Sequence, residues 1–189
     1  MRIVAGRHKG RPLQAPEGLD VRPTSDRARQ GLFNILEHGG FTEDGTSPLV
    51  DAVVLDAFAG TGALGLEALS RGAARLTCMD SEPRAIAVIR ANVATLGERA
   101  RVTLHQADAT RPPPGPAEPC SLAFLDPPYR SGLGAPALAA LADRGWVADG
   151  ALCIVEVEAK ENFAAPSGFT SFDERRYGKA RFVFLRFRT

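Results

Sequence analysis

From Asp51 onward the chain alternates strand-like with helix-like segments, and this alternation constrains its fold more than any other feature. Val53 to Asp56, Arg75 to Asp80, Val102 to Gln106, Leu122 to Leu125 and Ala151 to Val157 read as strands. The first and fourth are apolar enough to be buried. Ala63 to Arg71, Pro83 to Leu96 and Pro136 to Arg144 read as helices. Gly72 stops the first of them, and the second has proline in its first turn and Gly97 after its end. Strands alternating with helices imply an α/β fold with a mostly parallel, doubly wound sheet. Phe169 to Arg175 and Arg181 to Phe187, joined at Tyr177-Gly178-Lys179, resemble a C-terminal β-hairpin. Arg111 to Pro119 holds five prolines and reads as loop.

Ahead of the alternation the pattern is different. Arg2 to Leu13 is consistent with a small strand or hairpin, and Ala15 to Pro23 with a loop. A helix follows, with Thr24 or Ser25 as N-cap, Asp26 in the first turn, and Ala28, Leu32, Ile35 and Leu36 at helical spacing. Gly31 weakens this helix by ~1 kcal/mol relative to alanine. The division expected is a small basic extension with its helix, 1–38, and an α/β domain, 39–189. One domain with an appendage suits 189 residues.

The net charge of +1 conceals a pattern. Residues 1–38 carry seven Lys/Arg against four Asp/Glu, 39–160 ten against fifteen, and 161–189 six against three. Basic ends around an acidic middle favour a polyanionic partner. No run of ~18 apolar residues exists, so no membrane span is expected. The N-terminal residues lack the apolar stretch of a signal peptide, which makes the cytoplasm the default compartment. Cys78, Cys120 and Cys153 form no C-x-x-C pair and read as buried free thiols. With three scattered histidines, no metal site is expected.

Two motifs carry chemistry. Asp126-Pro127-Pro128-Tyr129 follows the fourth strand, where open α/β sheets bind ligands. The Asp126 carboxylate and the Pro127 carbonyl, held extended by Pro128, can accept hydrogen bonds from an amine on a flat heterocycle. The Tyr129 ring can stack on that heterocycle. Taken alone, the tetrapeptide is also readable as a proline-rich turn.

The second motif is Asp56-Ala57-Phe58-Ala59-Gly60-Thr61-Gly62-Ala63-Leu64-Gly65, between the first strand and the first helix. Its glycines spell G-x-G-x-x-G, and Asp80 lies 20 residues after Gly60. Both features fit a dinucleotide fingerprint, so an NAD-dependent oxidoreductase is an open alternative. Electrostatics favours another ligand. Asp56 would repel a pyrophosphate but attract the α-ammonium and sulfonium of S-adenosylmethionine (SAM). Asp80 can accept from both ribose hydroxyls, and Asp108 from the adenine amine. Phe58, Ala59, Gly60 and Gly62 supply the turn around that cofactor.

At this point the sequence resembles class I SAM-dependent methyltransferases with a Rossmann-like fold. More closely it resembles the RsmD family, bacterial enzymes that methylate the N2 amine of a guanine in small-subunit (16S) rRNA. The resemblance rests on Arg2 to Gly6 with Gly10 to Leu13, on Arg22 to Arg27 followed by Leu32-Phe33-Asn34, and on Asp56 to Ser70. Asp126 to Tyr129, Gly145 to Asp149 and Val155-Glu156 complete it. Gln30-Gly31 and the proline-rich 111–119 segment depart from the family pattern. The resemblance implies SAM as cofactor, small-subunit rRNA within a ribosomal particle as partner, a monomer, and no metal or membrane. Arg2, Arg7, Lys9, Arg11, Arg22, Arg27 and Arg29 are the expected phosphate contacts. An adenine-N6 DNA methyltransferase and a non-catalytic RNA-binding protein are the further alternatives.

Overall fold

The computed structural model describes residues 1–15, 26–42 and 45–189. One sheet of seven strands runs in the order β3-β2-β1-β4-β5-β7-β6. Its strands are β1 (Val53–Ala57), β2 (Arg75–Asp80), β3 (Val102–Gln106), β4 (Cys120–Leu125), β5 (Val147–Glu158), β6 (Phe169–Tyr177) and β7 (Ala180–Phe187). The first five are parallel to one another. β7 is antiparallel to β5 and forms the expected hairpin with β6. Helices α1 (Asp26–His38), α2 (Ala63–Ser70), α3 (Pro83–Leu96) and α4 (Gly134–Asp143) complete the layers.

Alternation of side chains along the strands divides the core in two. Val54, Cys78, Phe124, Ile154 and Phe184 pack with residues of α1, α2 and α3, among them Phe33, Leu66 and Ile89. Leu55, Met79, Leu125, Val155 and Leu185 pack with Leu138 and Leu141 of α4. The sheet is therefore covered on both faces, as its apolar strands require.

β5 begins at Val147, earlier than the expected Ala151. Cys120 pairs with Val147 but Leu122 with Leu152, so β5 bulges in between. Gly150, with φ 76°, lies inside the bulge. The 107–119 connection from β3 to β4 contains no helix. It is anchored where Trp146 Nε1 donates to the Pro113 carbonyl at 2.8 Å.

The N-terminal segment folds back on itself. Ile3 donates to the Arg11 carbonyl and Gly10 to the Ile3 carbonyl, around one antiparallel bridge between Arg2 and Pro12. Glu67 of α2, wholly buried, accepts the Val4 and Ala5 N–H groups at 2.8 and 2.9 Å. Ile3 and Leu13 join the same core as α1, α2 and α3. The expected α1 N-cap, Thr24 or Ser25, lies outside the described residues.

Cys78, Cys120 and Cys153 are buried free thiols on β2, β4 and β5. Burial pushes the Cys120 thiol up to about 12 and the other two well above the ordinary range. Among the described residues, no helix is long and apolar enough to cross a membrane.

Candidate active site

The chain leaves β1 in one direction to build β2 and β3, and later returns to β1's other side with β4. This reversal of strand order opens a crevice at the strand carboxyl ends. The two sequence motifs meet there. Ala57 pairs with Leu125, and one residue further the Asp126 N–H donates to the Ala57 carbonyl at 3.3 Å. Asp126-Pro127-Pro128-Tyr129 thus starts beside the glycine turn, although some 60 residues separate the two motifs in the chain.

The turn itself is tightly specified. Phe58, Gly60 and Gly62 have φ of 59°, 55° and 75°, and Gly62 caps α2. Left-handed backbone is unremarkable for glycine, but for Phe58 it is strain of the kind concentrated at functional sites. A Cβ on Gly65 would lie 2.4 Å from Leu76 and 3.1 Å from the Asp56 Cβ. The third glycine is what lets α2 lie close against β1 and β2.

Two acids hold this turn. Asp80 accepts from the Gly60 N–H at 2.8 Å through one oxygen and from the Glu82 N–H at 2.9 Å through the other. Asp56 accepts from the Gly65 N–H at 2.8 Å and is only 1% exposed. Its second oxygen, also buried, has no hydrogen-bond partner among the described residues. Burial raises the Asp56 carboxyl to about 7, against the lowering effect of the Gly65 N–H and with a smaller upward push from Asp80. Asp56 therefore lies beneath the turn rather than open at its mouth.

Asp108 is more exposed and locally bonded. Its Oδ1 accepts from the Thr110 N–H and hydroxyl at 2.9 and 2.7 Å. These bonds hold its carboxyl below the usual range. Its Oδ2 pairs with the exposed Arg111 at 3.1 Å.

In the tetrapeptide, Pro127 is buried, Pro128 exposed, and Asp126 and Tyr129 half-buried. The Tyr129 hydroxyl donates to Glu156 Oε1 at 2.7 Å. Glu156 sits near the carboxyl end of β5 and is 3% exposed. Arg130, with φ 58°, donates its N–H to Glu161 at 3.0 Å and its side chain to Glu158 at 2.9 Å. Sequence reasoning missed the Tyr129–Glu156 contact. The available signal was an acid inside the otherwise apolar run Ala151 to Val157.

The expected phosphate contacts separate into groups. Arg2, Lys9, Arg11 and Arg27 are exposed. Arg7 is about half-exposed and lies 3.7 Å from Glu98. Arg22 lies outside the described residues. Arg29 requires a correction. It is 1% exposed, donates to the Arg2 carbonyl and to Asp26 at 2.5 and 2.8 Å, and lies 3.8 Å from Glu67. It ties α1 to the N-terminal segment and cannot reach a phosphate. Helical spacing puts Arg29 on the face of the buried Leu32, Phe33 and Leu36, and that register carries it inward. Among the described residues, no cluster of His, Cys, Asp and Glu could hold a metal ion.

This architecture recurs in known proteins. The family described as conserved hypothetical protein 95 matches residues 1–186. Ribosomal RNA small subunit methyltransferase D of Escherichia coli K12 is 38% identical over 184 residues, covering 96% of this chain and 87% of its own length. The enzyme of the same name from Haemophilus influenzae is 31% identical over 182 residues, covering 94% of this chain and 89% of its own. The solved structure of the Escherichia coli protein yhhF superposes with a TM-score of 0.80 at 35% identity, over 100% of this chain and 98% of that one. An RNA methyltransferase of Salinibacter ruber, solved with S-adenosyl-L-homocysteine, has a TM-score of 0.65 over 88% of this chain and 94% of its own. At 11% identity it speaks for the fold alone, which is the Rossmann-like fold of class I methyltransferases. With the match running nearly end to end, the chain belongs to the family described as conserved hypothetical protein 95, the RsmD family.

Proposed function

We propose that this protein transfers the methyl group of SAM to the exocyclic N2 amine of a guanine in small-subunit rRNA. The observation that carries the reading is the Asp126 N–H to Ala57 carbonyl bond, which brings the amine-binding tetrapeptide against the glycine turn. The names of the relatives, as small-subunit rRNA methyltransferases, support rRNA methylation. The residues at the turn fit the cofactor. The orphaned, buried Asp56 oxygen beneath the turn is suited to a cation above it, not to a pyrophosphate. Asp80 at the end of β2 can take ribose hydroxyls through the remaining lone pairs of its oxygens. Phe58, Ala59, Gly60 and Gly62 wall the same space, and Asp108 is the acceptor for the adenine amine. When bound, SAM supplies a methyl group already activated by its sulfonium.

What remains is to present the nucleophile. The lone pair of a guanine amine is delocalised into the ring. The Asp126 carboxylate and the Pro127 carbonyl accept its two hydrogens, which fixes the amine and raises electron density on nitrogen. The same oxygens would stabilise the positive charge that develops on nitrogen as its bond to the methyl forms and the methyl–sulfur bond breaks, with S-adenosylhomocysteine as the leaving group. The Asp126 carboxylate would take the surplus amine proton and pass it to solvent. Most of the acceleration comes from alignment of nitrogen and methyl carbon in line. Tyr129 stacks on the base, worth ~1–3 kcal/mol by analogy with single-strand binders.

The base leaves its stack to enter, which loops and bulges of rRNA allow cheaply. Arg2, Arg7, Lys9, Arg11 and Arg27 contact phosphates. The substrate is rRNA in a ribosomal particle, the protein acts as a monomer in the cytoplasm, and neither metal nor membrane takes part. Residues 1–38 form the basic extension of a methyltransferase domain spanning 39–189. Asp126→Ala tests the reading. Methyl transfer to ribosomal particles falls roughly 100-fold or more, by analogy with loss of a transition-state hydrogen-bonding group. Binding of S-adenosylhomocysteine stays near wild type. Near wild-type transfer by the variant refutes the assignment of Asp126, and mapping the modified nucleotide identifies the base.

A further inference from the structure

Glu156 is an acid where an apolar residue would cost less. It lies on β5 between Val155 and Val157, both buried, and pairs across the sheet with Phe182 of β7. Its parity is that of Leu152 and Ile154, so it faces the layer of α1, α2 and α3. Burying a carboxylate there is unfavourable unless its oxygens are bonded. One oxygen accepts from the Tyr129 hydroxyl at 2.7 Å, the ordinary length of a well-formed O–H···O bond.

Register links this pair to the reacting centre. Leu125 of β4 pairs with Val155 of β5. Asp126 is the first residue beyond β4, and Glu156 follows Val155 on β5, so the two acids come directly after paired positions near the carboxyl ends of neighbouring strands. Tyr129 bridges them, joined to Asp126 through the backbone and to Glu156 through its hydroxyl. A second contact steadies the same segment, where Arg130 donates to Glu158 and Glu161. Arg130 is exposed, and exposed ion pairs fix geometry weakly. The buried bond to Glu156 fixes the ring more firmly than this exposed pair does.

We propose that Glu156 is a positioning residue for methyl transfer, acting through Tyr129. Its carboxylate holds the phenol hydroxyl, and thereby the plane on which the target base stacks, so that the amine meets Asp126 and the methyl group in line. The proposal rests on the methyltransferase reading and extends it to a residue that touches no reactant.

The test compares Glu156→Gln, which keeps an acceptor, with Glu156→Leu, which has none, each with Tyr129 and with Tyr129→Phe. With Tyr129 present, the Leu variant loses roughly 10-fold in kcat for ribosomal particles, the size expected for one intramolecular hydrogen bond. The Gln variant stays within about 3-fold of wild type, and KM for the particle and affinity for S-adenosylhomocysteine change little, since the affected step is alignment. In the Tyr129→Phe background the Gln and Leu variants become equal, because the bond they differ in is already gone.

A spectral arm needs no substrate. The chain has two tyrosines, so Tyr177→Phe leaves Tyr129 as the sole phenol. In that background Glu156→Leu shifts the tyrosine near-ultraviolet band to shorter wavelength, and Glu156→Gln shifts it less. Should Glu156→Leu fail to fold, Tyr129→Phe alone carries the kinetic arm, with the same fall in kcat at unchanged cofactor affinity. A Gln–Leu difference that persists without the Tyr129 hydroxyl, or a Tyr129→Phe variant with wild-type kcat, overturns the positioning role. A wild-type protein that methylates no ribosomal particle overturns the proposed function instead. Positioning of the ring is then decided by the spectral shift, whose absence overturns it.

Discussion

Asp56 carries two opposed demands. It must sit under the glycine turn to bind the Gly65 N–H, and burial there raises its carboxyl from the ordinary 3.8 to about 7. A folded-state value above the unfolded one means that the native protein holds this proton more tightly. The stabilisation is fully present below about pH 4 and is lost as pH rises through about 7. A shift of that size corresponds to about 4 kcal/mol at most. Asp56→Asn keeps an acceptor for Gly65 and removes the ionisation. Urea unfolding should therefore show a smaller fall in stability between pH 4 and 7 for the variant than for wild type, and a more stable variant at pH 8. The proposed cofactor brings a cation, which favours the ionised carboxylate. Affinity for S-adenosylhomocysteine is accordingly expected to rise with pH toward 7 in the wild type and to be flatter and weaker in Asp56→Asn, as calorimetry can measure.

Among the elements, α1 gives the sharpest case of local preference overruled by packing. By propensity alone, Gly31 costs the helix ~1 kcal/mol. In the fold, a Cβ at Gly31 would lie 2.4 Å from the Tyr177 ring at the end of β6. The glycine makes room for the terminal hairpin to dock on the N-terminal helix. Gly31→Ala should therefore stabilise the protein by less than ~1 kcal/mol or destabilise it, whereas in a Tyr177→Ala background it should stabilise by about that amount. Chemical denaturation of the four proteins checks this. The same contrast explains what was legible beforehand. β2, α3 and β3 have the bounds expected from sequence, because their signals are local: an apolar run, or a proline at the start and Gly97 at the end. The start of β5 was hidden, because Asp149-Gly150 resembles a turn and only the partner strand reveals a bulge. Likewise both site motifs are contiguous and could be read directly. The Tyr129–Glu156 bond and the Arg29 bond to the Arg2 carbonyl join residues far apart in the chain, and no local pattern encodes them.

At the scale of the molecule, the N-terminal segment is part of the site's support. The Thr61 hydroxyl in the glycine turn contacts the Met1 sulfur at 3.6 Å. Asn92 of α3 donates to the Thr61 carbonyl and accepts from the Gln14 N–H at 3.0 and 2.8 Å. Glu67 fixes the segment's backbone while Arg2, Lys9 and Arg11 stay exposed. If these cations bind phosphate, changing all three to Gln should flatten the dependence of log affinity on log salt by about 0.7–0.9 per residue, measured with an rRNA fragment. Affinity for S-adenosylhomocysteine should change far less. The sheet also holds one thiol in each of β2, β4 and β5, all buried and unreactive while the strands stay closed. Each is a built-in reporter that an alkylating reagent can read only when its strand opens. Timed labelling followed by peptide mass spectrometry would rank the openings of three central strands without introducing a single probe. Cofactor binding at the β1–β4 crevice should slow the labelling of Cys78 and Cys120, on the two strands that flank β1.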